Sequence, residues 1–431
     1  RYKLGALLLD LKNPEKILKV KEILKKILKY KLKKLARLTL WRYRPGIIGV
    51  TGSVGKTSAK MAIAAVLKGE RLVRFAKGNF NNEIGLPLSI LGDYGDIKGF
   101  FFWPIVLYKS LWQALGPKNK NYPELLVLEY AADKPGDMKY LLSVARPNVS
   151  VVTAIGDIPV HVEFYAGPEE VAREKGRLIE FLPVAGFAVL NSDDEVVLNL
   201  KERTRAHIMT FGFSRNANLR ITNYEIRQDE EKPIGICFKL EYGGSVVPVK
   251  IDGVFGKAQA YAAAASAAVG IAFGFNLVKI SEQLRNYKPA HGRMDLVEGQ
   301  KNSLILDDSY NASPLSMKAA LDTFKEIKAK RKIAVLGDMT EIGQYTLEAH
   351  EEIGKLVAEF VDVLITVGLK GKMIADAAKK SKFNKKNIYE FADVSDAKKP
   401  VEDLIRKGDL ILVKASHSVR LNELVEEIQA L

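Results

Sequence analysis

Gly49-Val50-Thr51-Gly52-Ser53-Val54-Gly55-Lys56-Thr57-Ser58 is the stretch on which the fold turns. The apolar Ile47-Ile48-Gly49-Val50 leads into it, and a helical pattern, Ala59-Lys60-Met61-Ala62-Ile63-Ala64-Ala65-Val66-Leu67, leaves it. Strand, glycine-rich turn and helix form the setting of a phosphate-binding loop. Backbone N–H groups converge there on an anion, and the helix N-terminus adds its positive dipole end. Gly52 and Gly55 let the backbone approach phosphate, Lys56 reaches the outer phosphates, and Thr57 offers an oxygen to Mg²⁺. Five residues separate Gly49 from Gly55, and two separate Gly52 from Gly55, so the spacing is a variant, T-G-S-x-G-K-T. The bland alternative is an ordinary turn with an exposed lysine; the agreeing flanks argue against it.

A chain of 431 residues exceeds one compact core and implies two or three domains. With 47% apolar and 27% charged residues it has the composition of a folded globular protein. Its single cysteine, Cys237, lies in the strand-like Ile234-Gly235-Ile236-Cys237-Phe238, which excludes an intrachain disulfide and a cysteine metal site and suggests a core thiol. The net charge of +15 is local. Residues 1–44 hold 15 Lys/Arg against 3 Asp/Glu, a balance of +12, which leaves +3 for the other 387 residues. A globally basic protein would point to nucleic acid; a basic leader suggests something local, and on balance no nucleic-acid partner is expected.

The leader reads as one helix from Pro14 to Leu40, with Ile17, Val20, Leu24, Leu28, Leu32 and Leu35 as an apolar stripe among lysines. Three readings stay open: a helix on an anionic membrane surface, a helix packed on the body or on a second copy, and an arm for nucleic acid. The start at Arg1 leads us to expect a missing upstream piece, and no signal-peptide pattern is visible. Gly99–Tyr108 is an aromatic-rich uncharged run and is far shorter than a span requires. With Leu111, Trp112 and Leu115 it forms a second interfacial patch or a packing face.

Leu125–Tyr130, Val149–Ile155 and Gly186–Asn191 read as buried strands alternating with helical patterns, which implies a doubly wound, mainly parallel sheet. Ligands bind such sheets beyond the carboxyl ends of the strands. Glu129, His161 and Asp193 fall at those ends, on the rim of the phosphate loop. Residues 219–250 alternate, with Gly243-Gly244 as a hairpin turn, and read as a small antiparallel element. Ala258–Phe275 is an alanine-rich helix. A boundary at Lys288-Pro289-Ala290-His291-Gly292 precedes the strand-like Ser303–Leu306, Lys332–Leu336, Val363–Val367 and Leu410–Val413. The expected α/β organisation is therefore a basic helix over 1–45, a central P-loop ATPase domain over 46–288, and a C-terminal Rossmann-like α/β domain over 289–431.

Four motifs in this order resemble the Mur ligases: T-G-S-V-G-K-T-S at 51–58, K-G-N-F-N-N-E-I-G-L-P at 77–87, D-D-S-Y-N-A-S-P-L-S-M-K at 307–318, and A-V-L-G-D-M-T-E-I-G at 334–343. The resemblance covers roughly residues 46–431. It is nearest to the type that adds D-alanyl-D-alanine to a UDP-linked muramoyl tripeptide. It implies a cytoplasmic ligase of peptidoglycan precursors, at the inner membrane face if the leader binds lipid. ATP would activate a carboxylate as an acyl phosphate, which the amine of an amino acid or dipeptide then attacks.

By the same resemblance, Gly52, Ser53, Val54, Gly55, Lys56, Thr57, Ser58, Asn82, Gln259, Arg293 and Asp308 would contact the nucleotide. Thr57 and Glu129 would hold one Mg²⁺. His161 and a carbamylated Lys175 would hold a second, making Lys56, Glu129, His161 and Lys175 the catalytic set. Asn311, Lys414, Ser416 and Arg420 would line the substrate side. The sequence also departs from the family. Ala258-Gln259-Ala260-Tyr261-Ala262 stands where a helix start near adenine carries His and Asn, and His417 replaces an arginine. The family's UDP-gripping N-terminal domain has no counterpart here, and the expectation is that the basic helix stands in its place. Two other functions stay open: a related ligase acting on a lipid-linked or folate-like carboxylate, and a nucleotide-binding scaffold without turnover. The oligomeric state is not legible.

Overall fold

A computed structural model of the protein describes residues 14–430, apart from 77, 79, 96, 98, 100 and 231. Lys77 and Asn79 of the second motif, and the first thirteen residues of the leader, lie outside the described residues.

The chain opens with helix α1 (Pro14–Tyr43). It then builds a nine-stranded sheet in the order β2-β3-β1-β4-β5-β6-β7-β8-β9. These strands are β1 (Gly46–Thr51), β2 (Val73–Phe75), β3 (Leu125–Glu129), β4 (Val149–Val152), β5 (Phe187–Asn191), β6 (His207–Gly212), β7 (Leu219–Asp229), β8 (Lys232–Tyr242) and β9 (Ser245–Asp252). Every pairing from β2 through to β7 is parallel, while β7–β8 and β8–β9 are antiparallel. The antiparallel element read from the sequence is therefore not separate. Phe211 pairs with Leu219, so it prolongs the central sheet. Its predicted Gly243-Gly244 turn joins β8 to β9, with Tyr242 opposite Ser245.

Helices cover both faces of this sheet, as an all-round apolar parallel sheet requires. On one face α2 (Lys56–Lys68) packs against a long alanine-rich helix (Lys257–Ala272). Ala59, Ala62 and Ile63 meet Ala260, Ala264 and Ala267 in one core. On the other face α1, α3 (Gly85–Leu91), α4 (Phe102–Leu115) and α5 (Asp137–Val144) close a second core around Leu32, Ala36, Leu88, Val106 and Leu126. Helix α6 (Pro168–Glu180) covers β4 and β5 beside them.

The leader helix exists and runs three residues past its predicted end. Its C-terminal half packs on the body, with Leu32 and Ala36 fully buried. Lys29 pairs with Glu83, and Lys33 donates to Ser143 Oγ, both at 2.5 Å. Its N-terminal half leaves the body, with Leu18, Val20, Ile23, Leu24 and Ile27 exposed.

After a short linker a six-stranded sheet follows in the order β10-β11-β15-β12-β13-β14. Here β10 is Asp295–Gly299, β11 Ser303–Asp307, β12 Lys332–Gly337, β13 Val363–Val367, β14 Ile388–Phe391 and β15 Leu410–Lys414. Only β10 is antiparallel to its neighbour. Helices again lie on both faces, around Met317, Leu321 and Phe324 on one and Val401, Leu421 and Leu424 on the other. The whole is α/β, with two doubly wound sheets. No helix among the described residues is long and apolar enough to cross a membrane.

Candidate active site

The loop between β1 and α2 takes the shape its glycines allow. Gly52 has φ 144° and Gly55 φ 85°, both in the region that favours glycine. A Cβ on Gly52 would lie 2.2 Å from Thr153 Oγ1, so no side chain fits. Ser53 N–H donates to Ala154 O at 2.6 Å, and Thr153 Oγ1 donates to Val54 O at 2.6 Å. The segment after β4 thus clamps the loop into a cradle whose remaining N–H groups and helix dipole suit a phosphate chain. Lys56 Nζ folds back over this cradle and donates to Gly52 O at 2.8 Å and Ser53 O at 3.3 Å. Burial lowers the Lys56 ammonium and Arg293 adds to this, while Glu129 and Asp133 oppose it.

Under the loop, Thr57 Oγ1 donates to Glu129 Oε2 at 3.2 Å. Lys60 Nζ lies 3.2 Å from the same carboxylate oxygen, and Asn81 Nδ2 donates to Oε1 at 3.1 Å. Burial pushes the Glu129 carboxyl up, but Lys60, Lys56 and Asn81 outweigh it and hold the group below its ordinary range. A hydroxyl and an ionised carboxylate, dry and oriented, are the hard oxygen donors that Mg²⁺ takes when phosphate and water complete its shell. Among the described residues no cluster of three or more His, Cys, Asp or Glu forms a metal cage.

His161 follows β4 with φ 71°, a left-handed conformation that turns its ring to the rim. Its Nε2 lies 3.2 Å from Asp133 Oδ1, and its Nδ1 lies 2.6 Å from Glu341 Oε2, a residue of the second sheet's domain. Burial, with Lys175 and Lys56 on the same rim, pushes the imidazole down to about 3. Lys175 on α6 is fully buried and makes no ion pair among the described residues. Its neighbour Glu174 is spent elsewhere: Oε1 accepts the N–H groups of Gly136 and Met138 at 3.0 Å, and Oε2 pairs with Arg177. Burial first, and Lys56 second, bring Lys175 down to about 7.

The second domain closes the cleft. Ser53, Val54, Gly55, Arg293, Asp308 and Lys414 line one small cavity of about 70 Å³. Lys414 Nζ meets Asp308 Oδ2 at 2.6 Å and Asn311 O at 2.8 Å. Arg293 stacks on Tyr310, 4.1 Å from the ring centre. A larger cleft of about 570 Å³ opens beside it, where Tyr261 and Asn191 line the wall. Tyr261 O–H donates to Asp193 Oδ2 at 2.8 Å there.

Lys56, Thr57, Glu129, His161, Lys175, Arg293 and Asp308 therefore converge, and four other sequence candidates make structural hydrogen bonds, Gln259 while also lining the small cavity. Asn82 Oδ1 accepts the N–H groups of Ile84 and Gly85 and starts α3. Gln259 is buried, donates to Arg293 O and accepts from Tyr287 O–H, tying the helix to the linker. Ser416 Oγ accepts from Thr340 N–H, and Arg420 is an exposed residue paired with Glu423. Sequence reasoning missed Lys60, Asn81, Asp133 and Glu341. For Lys60 a signal was present, since four residues after Lys56 on a helix is the same face.

Two family models match this chain, the Mur ligase middle domain over residues 110–270 and the Mur ligase glutamate ligase domain over 292–417. A UDP-N-acetylmuramoyl-tripeptide–D-alanyl-D-alanine ligase of Bacillus subtilis is 30% identical over 92% of this chain and 79% of its own length. The chain belongs to the Mur ligase family. The ligase of the same name from Escherichia coli is 28% identical, over 89% of this chain and 76% of its own. Among solved structures, the MurF ligase of Thermotoga maritima in complex with ADP matches with a TM-score of 0.75 and 29% identity, covering 93% of this chain and 83% of that one.

Proposed function

We propose that this Mur ligase joins D-alanyl-D-alanine to the terminal carboxylate of a UDP-linked muramoyl tripeptide, at the cost of ATP, releasing ADP and phosphate. The substrate pair is that of the Bacillus subtilis and Escherichia coli relatives. One observation carries the reaction type: the phosphate loop faces Arg293, Asp308 and Lys414 of the other domain across a single cavity. A carboxylate oxygen of the tripeptide attacks the γ-phosphorus, the bond to ADP breaks, and an acyl phosphate forms. The dipeptide amine then attacks the acyl carbon, loses a proton, and expels phosphate.

No covalent bond to the protein is needed, so the chain's work is positioning and charge neutralisation. Lys56 swings from the Gly52 and Ser53 carbonyls to the γ-phosphate. Thr57 and Glu129 hold Mg²⁺, which supplies charge neutralisation on the phosphate oxygens. Arg293, steered by Tyr310, brings a second fixed cation to the phosphate chain.

Lys175 is carbamylated in the working enzyme and, with His161, holds a second Mg²⁺. The support is physical: a buried amine brought down to about 7 has a large neutral fraction near pH 7, the form that adds CO₂ and then loses a proton. The anion so formed relieves a cation that has no ion-pair partner among the described residues. The enzyme works in the cytoplasm, at the inner face of the membrane.

ADP release measured with tripeptide, dipeptide and both tests the reading. Rapid release with both substrates together is expected; release no faster than with ATP alone, across a panel of muramoyl peptides, refutes it.

A further inference from the structure

Helix α4 carries an apolar face that the described chain leaves in solvent. Val106, Ser110 and Ala114 point into the body. Ile105, Tyr108, Leu111, Trp112 and Leu115 recur at three- and four-residue spacing on the other side, with Tyr108 70%, Trp112 62% and Leu115 66% exposed. Helix α1 lies alongside, where Arg42 Nη1 donates to Ala114 O at 2.7 Å and Tyr43 O–H donates to Gln113 O at 3.3 Å. Trp41, next to these contacts, is 70% exposed. Further back, the overhanging half of α1 shows Leu18, Val20, Leu24 and Ile27 among the exposed lysines Lys21, Lys25 and Lys26.

Charge decides what such a surface meets. Residues 101–120 contain three lysines and no Asp or Glu, and residues 1–44 carry +12. A second copy would bring like charge against like. A bilayer with anionic headgroups offers the complement: Trp and Tyr rings settle at the headgroup–acyl boundary, lysine stems bury their methylenes, and the ammonium groups reach phosphate.

We propose that α4 and the N-terminal half of α1 form a docking face for an anionic lipid bilayer. It extends the location proposed above and does not depend on which carboxylate the enzyme extends. The overhang and the α4 face then hold the enzyme by two independent contacts, one mainly electrostatic and one mainly apolar.

Sedimentation of the full chain with vesicles tests this, using phosphatidylcholine alone and phosphatidylcholine containing phosphatidylglycerol, at low and high salt. Binding to the anionic vesicles at low salt is expected, with a blue-shifted tryptophan emission and loss of binding at high salt. Lys25→Ser and Lys26→Ser should each weaken binding roughly fivefold. Trp112→Ser with Leu115→Ser should weaken it about tenfold or more. ADP release in each variant reports that the fold is kept, so a failed ligase assay and a failed vesicle assay are distinct results. Three results overturn the proposal: no binding to anionic vesicles at low salt, equal binding to both vesicle types at both salts, or a dimer in solution that the Trp112/Leu115 variant abolishes.

Discussion

Replacing Lys175 by methionine should make the metal-free, CO₂-free protein more stable while destroying its activity. Lys175 is fully buried, and its amine falls from 10.5 in the open chain to about 7 in the fold. Unfolding just above pH 7 therefore takes up a proton that the native site resists, and a shift of this size is worth on the order of 4 kcal/mol. The sign follows from proton counting. Between about pH 7 and 10.5 the unfolded chain holds more protons at this group, so native stability rises with pH over that window; below pH 7 the penalty is present in full. Methionine has nearly the same reach and no charge, and replacing a buried cation by an apolar side chain is often neutral or stabilising. Urea titrations of both proteins at several pH values, in CO₂-depleted buffer without Mg²⁺ or nucleotide, measure the difference. The variant should be more stable by about 4 kcal/mol at pH 7, and the gap should close as pH rises toward 10. A variant less stable than the parent at pH 7, or a gap that does not shrink with pH, refutes the reasoning that this lysine is an uncompensated buried cation.

Two further substitutions probe the loop and its support. Lys56→Ala should lower ADP release by about 10²–10³ with an unchanged melting temperature, since one fixed cation at the transferring phosphoryl is lost; near-parental turnover would remove Lys56 from the reaction. Lys60→Met leaves the Glu129 carboxylate buried with one cation fewer, at a cost of about 3 kcal/mol. Melting curves with and without MgCl₂ should show the loss partly recovered by the metal, and equal losses in both would mean that Glu129 does not face a metal.

The sequence was most legible where a strand is buried on both faces. Leu125–Glu129, Val149–Val152 and Phe187–Asn191 are apolar runs interrupted only by Glu129, Ser150 and Asn191, and all three are central strands. Strands without that signature passed unread. Val73-Arg74-Phe75 is three residues with a charge in the middle at one edge of its sheet. His207–Gly212 begins with two exposed residues, and Ile388–Phe391 is an edge strand with Glu390 exposed. Edge and half-exposed strands are chosen by their neighbours more than by their own composition. The same holds for residues 219–250, whose alternation showed strands but not that Phe211 and Leu219 would pair and make them part of the central sheet.

The site divides along a similar line. Lys56 and Thr57 are fixed by a contiguous turn, and Glu129 by the end of a buried strand, so short-range pattern suffices for them. The choice between Asn81 and Asn82 does not follow from pattern, because either amide could serve. The turn into α3 decides it: Asn82 Oδ1 is taken by two backbone N–H groups, and Asn81 is left to face Glu129. Tyr261 makes the same point in the larger cleft. A helix start with Ala258 and Ala262 reads as the loss of nucleotide contacts, yet one turn of helix carries Tyr261 to Asp193 at the end of β5, on the wall of the 570 Å³ cleft. A hydrogen-bonding edge can thus be kept at a site by a residue of another type, provided that the strand ends opposite supply its partner. What a motif comparison scores as a departure is, in space, a polar contact between a helix and a strand end on the wall of the cleft.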